Sequence, residues 1–144
     1  YAVAAMPILN TFVPMLTGTG GNCGSQSSTL IIRGLATDEI EFRDIFKVLM
    51  KELRVALVVG VMLAVVNGIR IMLMYSGNIM LAVALGITII CTVTLAKVIG
   101  CILPLVAKKL GLDPALMAAP LITTLVDTGT ILLYFTIATN IFGI

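Results

Sequence analysis

The chain has 144 residues, 60% of them hydrophobic and 11% charged, with a net charge of +2. A soluble domain averages about 45–50% apolar and about 25% charged residues, and one this small could not keep so much apolar surface from water. The composition therefore excludes an ordinary soluble domain, and the charge is too small to suggest a nucleic-acid partner. It predicts an all-α membrane protein, a polytopic helical bundle in a lipid bilayer, with one transmembrane domain filling residues 1–144. The start at Tyr1, inside an apolar run, reads as a fragment whose N-terminal part is missing.

Residues 4–36 are predicted as the first span, apolar at first and broken by Pro7 and Pro14. The run GTGGNCGSQSST follows, with Gly18, Asn22, Gln26 and Thr29 recurring at helical spacing. That polar face is expected to look into the bundle, with local unwinding near Gly18–Gly21 tolerated where backbone lines a cavity. Gly20-x-x-x-Gly24 equally fits close helix packing.

Residues 38–53 read as an amphipathic interfacial helix, capped by Thr37 with Asp38 and Glu39 in its first turn. Phe42, Ile45, Phe46, Leu49 and Leu53 form its apolar stripe. Arg43, Asp44, Lys47, Lys51 and Glu52 form the other face. Three further spans are predicted at 55–75, 79–103 and 114–142, each at least as long as the roughly 20 residues that hydrocarbon requires.

Arg33, Arg43, Lys47, Lys51 and Arg54 lie between the first two spans, and Lys97, Lys108 and Lys109 at or after the end of the third. Arg70 alone falls toward the other side. The positive-inside rule then makes the basic loops cytoplasmic and puts both chain ends outside a multi-pass cell membrane protein.

Six of the seven acidic residues fall near the cytoplasmic edge, and Asp127 lies in the middle of the last span. A carboxylate at that depth costs about 2.5–3.5 kcal/mol even on a lenient scale, so it must be protonated, paired, or facing water or a cation. Thr123, Thr124 and Thr130 share its neighbourhood, and Pro120 is expected to free the carbonyl around Leu116. Asn22, Ser25, Gln26 and Thr29 on the first span add more oxygen donors. This hard set suits Mg²⁺, Ca²⁺ or Mn²⁺. The chain has no His, and Cys23, Cys91 and Cys101 show no metal spacing, which excludes a common zinc site and a His-based triad.

A protonated carboxyl within helix packing is the bland alternative for Asp127. One carboxylate is few for a divalent ion, but a two-fold homodimer would bring two together around a largely hydrated cation. An intramembrane aspartyl protease would need two carboxylates in one site, so no enzyme is expected.

GGNCGSQSSTLIIRGLATDEI (20–40) and LDPALMAAPLITTLVDTGTILLYF (112–135) resemble two signatures of the MgtE family of magnesium channels and transporters. The resemblance implies helices two to five of that family's five, a homodimer with the ion path along its interface, and bound, transported Mg²⁺. It implies that Asp127 holds the hydrated ion, with the Thr123 carbonyl and Asn22 helping to line the path. Gly18, Gly21, Gln26, Thr124 and Thr130 are the remaining candidates for the path wall. The sequence departs from the family in having Gly129 two residues after the aspartate and Ala119 before the proline. The reading is a divalent cation channel or transporter for Mg²⁺. A secondary transporter of Mg²⁺ or Mn²⁺ coupled to Na⁺ or H⁺ is the alternative.

Overall fold

The computed structural model describes residues 7–117 and 119–143, so the predicted start of the first span at residue 4 lies outside the described residues. Four long helices make the bundle: α1 (Val13–Ala36), α2 (Ile45–Met74), α3 (Ile79–Lys109) and α4 (Ala119–Phe142). Short 3₁₀ turns, Pro7–Phe12, Phe42–Asp44 and Pro114–Met117, lead into α1, α2 and α4.

The first predicted span is thus a 3₁₀ turn feeding a helix. Pro14 falls in the opening turn of α1, where a missing N–H leaves no bond unmade. α1 stays helical through Gly18–Gly21, so the anticipated unwinding does not occur there. The buried Tyr134 hydroxyl donates to the Leu9 carbonyl at 2.8 Å and fastens the leading turn to α4.

The predicted interfacial helix is not a separate element. From Ile45 on its residues continue without a break into the second span as α2, while 38–44 form a turn and the 3₁₀ turn that leads into it. The reason is local: between Leu49 and Leu57 no glycine, proline or capping residue offers a hinge. Thr37 ends α1, its N–H bonding the Arg33 carbonyl, instead of capping the next helix. Asp38 then turns the chain at φ 55°, and the Glu41 N–H donates to the Asp44 carboxylate at 3.0 Å where α2's leading turn begins.

Two other boundaries move. α3 runs on through Pro104 to Lys109, past the predicted end at 103. The predicted 114–142 helix is a 3₁₀ turn followed by α4, with Pro120 in the first turn of α4. Pro120 therefore starts a helix rather than loosening one, because first-turn N–H groups are unpaired in any case.

Phe42–Met74, α3 and α4 are long and apolar enough to cross a membrane. α1 has the length, at 24 residues, but its polar run keeps it out of that class. Helix α3 packs against α1, α2 and α4. Its Leu85, Ile89, Val93 and Ala96 form the core with Leu16, Ile122, Val126 and Tyr134. Lys108 Nζ reaches the Leu35 carbonyl at 3.4 Å, so the basic ends of α1 and α3 lie together.

The α1–α3 contact is backbone on backbone. A Cβ on Gly100 would collide with the Gly24 carbonyl oxygen and come within 3.2 Å of the Gly24 Cα. Neither atom can rotate away, so Gly100→Ala must push the helices apart. We expect it to cost about 1–3 kcal/mol, as overpacking does, and to lower the melting temperature of the purified protein. An unchanged melting temperature would show that the helices do not meet there.

Candidate cation site

α4 sorts its residues into stripes. Ile122, Val126 and Thr130, four apart, are buried in the bundle. Thr123 and Asp127 lie one stripe over and are half-buried, while Thr124 and Thr128 are exposed. Asp127 comes eight residues after Ala119, about 12 Å along the helix axis.

Gly21 of α1 meets this second stripe. A Cβ there would sit 3.1 Å from the Thr123 methyl and 3.8 Å from Asp127 Oδ1. Glycine therefore lets α1 lie close beside the carboxylate. Asn22, the next residue, is exposed, and with Ser25, Gln26, Thr29 and Leu30 it lines an open groove of about 580 Å³. Gly18, one turn earlier, is exposed with open space above it. The structure thus brings Asp127, Thr123 and Gly21 together, with Asn22 and Gln26 on the adjoining outer surface of α1.

Thr130 lies elsewhere. It is 1% exposed and packs at the α1–α3–α4 junction, where a Cβ on Gly20 would come within 3.1 Å of its hydroxyl oxygen. Its hydroxyl and that of Thr92 are buried there without a hydrogen-bond partner among the described residues.

The hydroxyls near Asp127 point their protons inward. Thr123 donates to the carbonyls of Ala119 (2.9 Å) and Pro120 (3.1 Å), and Thr124 to that of Pro120 (2.9 Å). A hydroxyl whose single proton is bound to its own helix offers only lone pairs outward. Asp127 itself makes no ion pair or hydrogen bond among the described residues. The surface is therefore a collection of acceptors around one carboxylate, suited to a cation or to its hydration shell. Among the described residues no three acidic, Cys or His side chains converge on one point. One chain by itself offers a single charge.

A second polar cluster lies closer to the basic end and was not anticipated. Lys97, expected at the end of its span, is 5% exposed inside α3, and Glu52, expected on a solvated face, is 6% exposed. Lys97 Nζ sits 3.0 Å from Glu52 Oε2 and donates to Ser27 Oγ at 3.1 Å. Ser27 in turn donates to Glu52 Oε2 at 2.6 Å. The triad ties α1, α2 and α3 together one residue beyond Gln26. The signal was a lone lysine within the apolar run TLAKVIG, which needs a buried partner if the helix continues past it.

A family model described as MgtE, divalent cation transporter, matches residues 13–137. The magnesium transporter MgtE of Thermus thermophilus is 39% identical over 134 residues, covering 93% of this chain and 29% of that protein. The magnesium transporters MgtE of Bacillus subtilis and Enterococcus faecalis are each 34% identical, over 138 and 139 residues, or 96% and 94% of this chain. The chain spans about three-tenths of the length of these relatives.

Proposed function

Since the chain belongs to the MgtE family of divalent cation transporters, we propose that it forms the membrane part of a Mg²⁺ channel or transporter. The observation that carries this reading is Asp127, a carboxylate with no ion pair or hydrogen bond among the described residues, beside Gly21 and the polar face of α1. A relative's name supplies the choice of Mg²⁺ among hard cations.

In this reading α1 is a fourth span. Its polar run disqualifies it as a lipid-facing helix but suits a helix that lines water. Both chain ends face outward, and Arg33, Lys47, Lys51, Lys108 and Lys109 face the cytoplasm. Two copies place their α1–α4 surfaces toward each other, so that two Asp127 carboxylates hold one ion. Mg²⁺ gives up its waters reluctantly, and the outward lone pairs of Thr123 and Thr124 suit a hydrated ion. The Thr123 carbonyl, Asn22, Gln26, Gly18 and Gly21 complete the wall. Thr130, one stripe inward, would support that wall from behind.

The test is Mg²⁺ influx into liposomes containing the intact protein, with Mn²⁺, Co²⁺ and Ca²⁺ as competitors. Influx well above that of empty liposomes is expected, and its absence would remove the assignment. Dependence of the flux on a Na⁺ or pH gradient at fixed voltage would replace the passive path with a coupled transporter.

A further inference from the structure

Arg70 stands apart from every other cation in the chain. It lies on α2 four residues before Met74, at the end of the bundle opposite the basic cluster. Among the described residues no carboxylate pairs with it; the ion pairs there are Arg43–Glu41 and Lys97–Glu52. Its partners are neutral and weak. Nε donates to Asn67 Oδ1 at 3.0 Å, an Nη donates to the Met15 sulfur at 3.4 Å, and the guanidinium lies 5.7 Å from the Phe12 ring centroid.

The bond back to Asn67, three residues earlier, shows the direction of the side chain. It leans toward the helix N-terminus, as helical side chains do, and so away from the near end of α2 and into the membrane-spanning part. A cation held there without an anion is costly. A guanidinium has five N–H donors, and most of those on Arg70 remain open on the exposed side of the chain.

The surroundings specify the missing anion. A cleft of about 290 Å³ between α1 and α2, floored by Ile89 of α3, runs beside Arg70; its walls are the apolar Met15, Leu63 and Val66 with the polar Thr19 and Asn67. It borders the outer face of α2, where Val66, Ile69 and Leu73 are exposed and apolar on a helix that crosses the membrane. An arginine fork matches the oxygens of a phosphate, and a largely apolar cleft beneath it matches a hydrocarbon tail. A free phosphate would leave the cleft empty. We propose that Arg70 binds the phosphate of an anionic phospholipid whose acyl chain lies in the α1–α2 cleft.

The experiment is native mass spectrometry of the intact protein in detergent, titrated with dioleoylphosphatidylglycerol or dioleoylphosphatidylcholine. One phosphatidylglycerol per chain should be retained in preference to phosphatidylcholine. Arg70→Gln should weaken that retention roughly tenfold, the worth of one charge-assisted contact, and Arg70→Lys should fall between. Inorganic phosphate should not displace the lipid. Equal retention by wild type and Arg70→Gln would overturn the proposal, because Arg70 would then meet its anion within the protein. Equal retention of the two lipids, or displacement by inorganic phosphate, would also overturn it. Should Arg70→Gln not elute as a folded species, Arg70→Lys decides, and retention equal to wild type rejects the fork.

Discussion

Replacing Asp127 with alanine should reduce Mg²⁺ flux by roughly 10²–10⁴-fold. In the proposed dimer the substitution removes two carboxylates at once. A hydrogen bond to a charged group contributes about 1.5–3 kcal/mol, so losing two costs about 3–6 kcal/mol, and each 1.4 kcal/mol is tenfold. Asp127→Asn is the sharper variant. It keeps the shape and one acceptor oxygen but removes the charge that a dehydration-resistant dication requires. It should therefore lose most of the flux. Asp127→Glu keeps the charge but moves the oxygens outward by one methylene, and should retain part of the flux.

The same variants separate function from folding. Asp127 makes no ion pair or hydrogen bond among the described residues, and it is half-buried. Its ionised form gains nothing from the protein and loses hydration. Asp127→Asn should thus fold and elute like the wild type, or better. Wild-type flux through well-folded Asp127→Asn would defeat the proposed site outright.

Three apolar helices were legible because a membrane demands about 20 apolar residues in a row, and that demand leaves a strong pattern; the polar run of α1 carries no such pattern. Asp127 was legible for the same reason, as the one acid that breaks such a run at depth. What escaped was the partner of each face. Ile45, Val48 and Leu49 pack against the cluster of Ile31, Leu35, Cys101 and Leu105. Glu52 follows on that same stripe, three residues after Leu49 and seven after Ile45, while Phe46 points outward at 73% exposure. A hydropathy pattern assigns a glutamate to the solvent face; only the position of Lys97 on another helix turns it inward. Thr130 shows the converse. It lies three residues from Asp127, near enough to seem a companion, yet it falls on the buried stripe of Ile122 and Val126 and faces Gly20 of α1. The meeting of Gly21 with Thr123 and Asp127 depends on how closely two helices approach, which periodicity along one helix does not encode.

Glu52→Gln and Lys97→Met should each destabilise the protein by about 3–5 kcal/mol, because each leaves the other charge buried without its counter-ion. The side chains are only 8% and 6% exposed, so water cannot take the partner's place. Ser27 does not rescue either single variant. Its one proton already goes to Glu52, and its oxygen is a neutral acceptor for Lys97. The combination Ser27→Ala, Glu52→Leu, Lys97→Met should recover most of the loss, since replacing a buried ion pair by apolar groups of similar volume is often neutral or stabilising. The measurement is thermal melting of the purified protein, comparing the combination with Ser27→Ala, Glu52→Leu and Lys97→Met each made singly, and a large favourable coupling between the substitutions is expected. Losses below about 1 kcal/mol in the single variants would mean that the pair is solvated in the membrane. Losses that simply add in the combination would mean that the two charges serve different partners. Recovery of stability together with recovery of Mg²⁺ flux would assign the triad a holding role: it keeps α1, and with it the Asn22 and Gln26 face, in register with α2 and α3. Recovery of stability without flux would mean that the charges themselves act on the ion, one residue beyond the groove that Gln26 lines.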